Sequence, residues 1–241
     1  MPDRGVWKKE IHSIRFKFFV GLAVMTFIGL FIVLTYDYMM KLLEVAPIPQ
    51  YAREQFGAQI EMMRNYRYYV WSQWFAKNFL QVGSILAIVF GAGMGNPVSS
   101  RNIFNVKYVV SFVSLALAGI FATVVMYAGI IAAGHFYPMV QLIEHTVVSL
   151  AGLAVIFSIA AYFSTVFDQT LKSGIVSALV AGVMFIPSLF AGVQEYSVFY
   201  QMQGVEIVTG KGFPIIPFSV MLLLSGGLFW LARNRFSKKD F

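Results

Sequence analysis

The chain has 241 residues, no cysteine and a formal charge of +7, with 59% hydrophobic and only 12% charged residues. A water-soluble globule of this length cannot bury so much apolar surface, and soluble domains carry about twice that charged fraction. Disulfides and Cys-ligated metals are excluded, and no nucleic-acid-reading motif accompanies the positive charge, which instead fits the flanks of membrane helices.

Residues 5–17, GVWKKEIHSIRFK, predict an amphipathic helix. Trp7, Ile11, Ile14 and Phe18 recur at helical spacing as one apolar stripe, with Lys8, Lys9, Glu10, Arg15 and Lys17 around the remainder. Such a helix lies in the membrane interface rather than across it; His12 within it reads as solvated. Residues 18–36 are the first predicted span. The apolar run is too long for a cleaved signal, and Tyr36, Asp37 and Tyr38 stand where small residues would be needed, so it reads as a retained anchor.

Residues 37–77 form a long outer segment of mixed charge, in which 51–69 suggests a helix lying on the membrane. The cluster Tyr66, Tyr68, Tyr69, Trp71, Trp74 and Phe75 suits the headgroup layer. Further spans are predicted at 78–95, 108–133, 146–167, 173–193 and 214–232. None of the six predicted spans contains Asp, Glu, Lys or Arg, each of which costs about 2.5–3.5 kcal/mol at a helix centre. The long runs do not alternate as barrel strands do. The fold expected is therefore all-α: a polytopic membrane bundle of six transmembrane helices with an N-terminal interfacial elbow helix, in one domain.

Between the second and third spans, Pro97 stops one helix and Ser99 or Ser100 can cap a short new one. Ile103, Phe104 and Val106 give that helix an apolar side, flanked by Arg101 and Lys107. This suits docking of a soluble partner; an ordinary connecting loop fits equally well. Gly174, Ala178 and Gly182 repeat every four residues, a spacing for close helix packing. Pro187 is expected to kink the fifth span, and Pro214 and Pro217 to bend the entry to the sixth.

Segments 1–17, 96–107, 168–172 and 233–241 hold two thirds of the Lys and Arg, while most Asp and Glu fall in the other connections. Positive residues stay inside, so both termini are expected in the cytoplasm.

Catalytic signatures are missing. There is no HExxH, GxSxG or K⁺-filter sequence. His135, Glu144 and His145 share one short loop, but their spacing matches no standard zinc site. Thr209-Gly210-Lys211-Gly212 is not a Walker A loop. The charge-free spans argue against ion-coupled transport.

Three stretches together resemble one family. Lys8-Lys9-Glu10-Ile11, running to Phe18, looks like its elbow helix. Asn96-Pro97-Val98-Ser99-Ser100-Arg101, then Lys107-Tyr108, is similar to its loop between spans two and three. Arg233-Asn234-Arg235-Phe236 with Lys238-Lys239-Asp240-Phe241 looks like its basic finish. The family is the permease subunits of ABC-2 type transporters. The resemblance implies a pair of permease chains, as homodimer or heterodimer, above two cytoplasmic ABC ATPase subunits that hold ATP and magnesium. The chain itself would not be an enzyme. In that reading Pro97, Val98, Ser99, Ser100, Arg101, Ile103, Phe104 and Lys107 belong to the coupling loop. Asp168 and Lys172 make a lesser contact, and Trp7, Ile11 and Ile14 belong to the elbow. The long 37–77 segment departs from many members. The competing expectation is a non-transporting membrane anchor or assembly subunit; a channel would need a polar ring along one helix, which is missing.

Overall fold

A computed structural model describes residues 4–45, 57, 60–94 and 101–237. Six helices among them are long and apolar enough to cross a membrane, and the chain is a multi-pass membrane protein. Helix α1 is Arg4–Val45, α2 Tyr66–Gly91, α3 Arg101–Ala132, α4 Met139–Val166, α5 Thr170–Phe185 and α6 Ile215–Phe236. No strand occurs among the described residues. Lipid offers no hydrogen bonds, so backbone groups must be satisfied within each helix.

Helix α1 differs from the expected elbow followed by a span. It is one uninterrupted helix of 42 residues, about 63 Å at 1.5 Å per residue, twice the hydrocarbon thickness. No proline, turn residue or cap separates Lys17 from Phe18, so nothing breaks the helix there. Helix α2 likewise starts at Tyr66, twelve residues before the expected span, and passes through a π-helical stretch, Trp71–Phe79. The wider turn sends Trp74, Phe75 and Phe79 all inward, each nearly fully buried. Tyr69 is buried as well. Half of the expected headgroup aromatics are thus core residues.

The other helices end where local chemistry says they should. Gly134, at φ +78°, takes the left-handed conformation that closes α3, and the His135 amide donates back to the Ile130 carbonyl at 3.0 Å. Pro138 caps the start of α4. Pro187 converts the end of α5 into a tight 3₁₀ turn, Ile186–Leu189, where a kink was expected. Pro214 stands at the entry of α6.

Helix α4 runs through the middle. Of its most apolar stretch 78% is buried, against 11% for α6. Both are apolar on every side, and side-chain size separates them. The buried face of α4 is rich in small residues, including Ala151, Gly152, Ala154, Ser158, Ala160 and Ala161. Helix α6 shows Leu223, Trp230 and Ile216 to the lipid. Several glycines allow a close approach. A Cβ on Gly91 would lie 2.7 Å from Ala160 Cβ and 2.8 Å from the Phe157 carbonyl oxygen; one on Gly83 would meet Leu153 at 2.9 Å. The Gly174/Ala178/Gly182 stripe does not do this within the chain: Ala178 and Gly182 are exposed, and a Cβ on Gly182 would meet nothing within 4 Å. A buried hydroxyl chain also crosses the bundle, with Tyr108 and Ser158 at 2.6 Å and Ser158 and Ser225 at 3.0 Å. It joins α3, α4 and α6.

Gly91→Ala is expected to destabilise by about 1–3 kcal/mol through overpacking against backbone. Gly182→Ala is expected to be neutral. Thermal unfolding midpoints in mild detergent compare the two.

Candidate functional site

The start of α1, the end of α2, the start of α3 and the end of α6 share one end of the bundle, here called the near end. Lys17 Nζ donates to the Val89 carbonyl at 2.9 Å, holding the last turn of α2. Phe104 packs against Phe236 at 5.1 Å and Phe229 at 6.3 Å between ring centres. Phe104 is fully buried, as is Val106. This corrects the expectation that Phe104 gives docking area to a partner: it ties α3 to α6. Sequence offers no sign of this, because an apolar residue beside a basic one suits either role. Ile103 stays half-exposed. Helix α3 begins at Arg101 itself, with no separate short helix before Tyr108. Pro97, Val98, Ser99 and Ser100 lie outside the described residues, as does the Arg101 side chain. Lys107 is half-buried and lines a small polar pocket of about 80 Å³ with Lys17, Glu10, Ser13 and Ser111.

Trp7, Ile11 and Ile14 line a separate groove of about 520 Å³ formed with Val109, Val110 and Val113. The elbow stripe therefore runs beside α3, with Ile14 buried and Ile11 exposed. Asp168 and Lys172 are exposed around the α4–α5 turn. The near end thus gathers Trp7, Ile11, Ile14, Ile103, Lys107, Asp168 and Lys172, but turns Phe104 and Lys107 inward.

The far end is closed by residues 190–213. This stretch re-enters the bundle with two one-turn helices, Val198–Gln201 and Val205–Val208. Two helices, α2 and α4, hold its backbone through side chains. Ser149 Oγ donates to the Met202 carbonyl at 2.8 Å, Trp71 Nε1 to the Gln203 carbonyl at 2.8 Å, and Arg67 Nη2 to the Val208 carbonyl at 2.9 Å. Ser197 Oγ adds a bond to Met184 at 3.1 Å. Met202 is fully buried and sits on Gly152, where a Cβ would lie 2.5 Å from its own. Gly204, at φ +65°, passes so close to His145 that a Cβ would lie 2.6 Å from Nδ1. Only glycine meets both demands.

His135 and His145 part company here. His135 Nε2 lies 3.2 Å from Asp37 Oδ1 and its ring stacks on Tyr66 at 4.2 Å. His145 is fully buried and stacks on Phe75 at 4.9 Å. Among the described residues no group of three His, Cys, Asp or Glu is placed to hold a metal. Arg67 and Trp71 were absent from the sequence-based candidates. Their partners lie more than 130 residues away, beyond any local pattern.

No family model matches the chain, and no curated protein or solved structure matches it.

Trp71→Phe with Ser149→Ala deletes two hydrogen bonds while keeping most of the packing. At about 1 kcal/mol each, amide exchange in residues 198–208 is expected to quicken roughly 30-fold. Exchange mass spectrometry reads this, with α4 amides as the control.

Proposed function

We propose that this chain is the membrane-spanning subunit of an ABC-2 type exporter, embedded in the cell membrane with both termini cytoplasmic. Two such chains would form the translocation path. A separate cytoplasmic ATPase, holding ATP and magnesium, would drive it.

The support is the company kept at the near end. The basic start of α1, the start of α3 and the exposed α4–α5 turn meet on one face of a six-helix bundle. The described parts of the three family-like stretches, around Lys8–Phe18, Lys107–Tyr108 and Arg233–Phe236, fall on that same side. Lys and Arg are concentrated there, as the positive-inside rule requires of the cytoplasmic face. The opposite face is closed by a folded-back segment, which suits a path that opens only on demand. Within one chain the middle of the bundle is filled by α4, so the path in this reading runs between two chains.

Coupling rests on fewer residues than the sequence suggested. Ile103 and Arg101, with the preceding Pro97–Ser100 stretch, are left to meet the ATPase. Phe104 acts inside the fold. Arg101 would supply a charge-assisted contact.

The test is mild-detergent purification of tagged protein, with mass spectrometry and an ATPase assay of the eluate. A stoichiometric Walker-type ATPase is expected. Arg101→Glu is expected to lower its recovery about tenfold while the chain stays inserted. Phe104→Asp is expected to lower the amount of folded chain itself. A clean preparation without ATPase in several detergents contradicts the reading and favours a membrane anchor or assembly subunit.

A further inference from the structure

Beneath the far-end segment, several polar atoms are buried without a hydrogen-bond partner. They are Tyr137 Oη, Gln141 Oε1, both ring nitrogens of His145, and Nε of Arg67. Buried polar groups are normally paired, and each exception calls for an occupant. These do not scatter. Gln141 and His145 stand at i and i+4 on one face of the first turns of α4, and Tyr137 lies in the extended stretch that leads into that helix. The Arg67 guanidinium, across from α2, lies within electrostatic reach of both Tyr137 and His145. The Gln203 carbonyl lies beside the His145 ring and accepts from Trp71.

Among the described residues no carboxylate pairs with Arg67, which is half-buried and donates to the Val208 carbonyl. Glu144 and Glu206, the acids adjacent in sequence to His145 and Ile207, form no ion pair with Arg67. The free atoms are chiefly donors: the Nε–H, the phenol O–H and one imidazole N–H. The terminal amide of Gln141 turns either way, since its oxygen and nitrogen are interchangeable in shape. The N-terminal end of α4 adds positive potential. Burial keeps the Tyr137 phenol above its ordinary range of acidity, against the smaller opposing pull of Arg67, so it remains a donor.

We propose that Arg67, Tyr137, Gln141 and His145 form an internal site for a small anion, a free halide or the carboxylate of an organic ligand, seated under the segment that closes the far end. The site stands apart from ATPase coupling and does not depend on it. Because Arg67 also grips the Val208 carbonyl, an anion there would steady the closing segment.

The full chain, purified in mild detergent, is melted in sodium chloride, sodium acetate and sodium isethionate at equal pH and ionic strength. A midpoint about 5 °C higher in chloride than in isethionate is expected for a filled halide site. The same rise in acetate, with or without chloride, assigns a carboxylate-accepting site. Tyr137→Phe keeps the packing and is expected to remove most of the rise; Arg67→Gln is expected to abolish it where that variant folds. Equal midpoints in all three salts, or a rise that Tyr137→Phe retains in full, overturns the proposal and leaves the cluster to water.

Discussion

Close contact between α4 and the glycines around it sets the geometry of the whole bundle. In lipid, hydrocarbon tails are as apolar as leucine, so helices associate through tight packing and a few polar bonds. Gly83 and Gly91 bring α2 against Leu153 and Ala160, and Gly152 receives Met202. If α2 stood further off, Phe75 would not stack on His145 and Trp71 would not reach Gln203. The near end depends on the same seating. Lys17 caps the final turn of α2, and that turn is where Gly91 meets α4. Packing in the middle therefore positions both the near end and the segment that closes the opposite face.

The two ends are built differently. The near end joins helices through aromatic stacking of Phe104 with Phe229 and Phe236, leaving basic residues and short turns outside. The far end joins a segment of irregular backbone to helices through Ser149, Trp71 and Arg67. Backbone that is neither helix nor sheet survives at membrane depth only where protein covers it. Each bond of this kind contributes about 1 kcal/mol, so the segment is held firmly enough to stay shut and weakly enough to be displaced. The π-helical stretch of α2 serves this end directly, since it turns Trp74, Phe75 and Phe79 inward together.

The six membrane helices were legible in the sequence because charge is excluded from hydrocarbon and the apolar runs are long. Their ends were less so. Trp71-Ser72-Gln73-Trp74 reads as headgroup chemistry, yet Trp74 is core, because a polar run is tolerated once a helix is shielded by neighbours. The expected break after Lys17 failed because amphipathic and fully apolar segments can share one continuous helix. Gly174, Ala178 and Gly182 repeat every four residues just as Gly83, Ala87 and Gly91 do, yet only the second set packs closely, because contact follows which face meets a neighbour. The Arg67 cluster was invisible because its members come from separate helices and its only sequence trace was an arginine counted as lying outside the membrane.

The absence of cysteine permits the most direct test of this architecture. Single cysteines at Lys172, Lys211 and Met202 are labelled with a membrane-impermeant maleimide in intact and permeabilised cells. Lys211→Cys is expected to react in intact cells, Lys172→Cys only after permeabilisation, and Met202→Cys in neither. Labelling of positions 172 and 211 from the same side would contradict the arrangement of six crossings. Labelling of position 202 as fast as 211 would contradict a far end sealed by its folded-back segment.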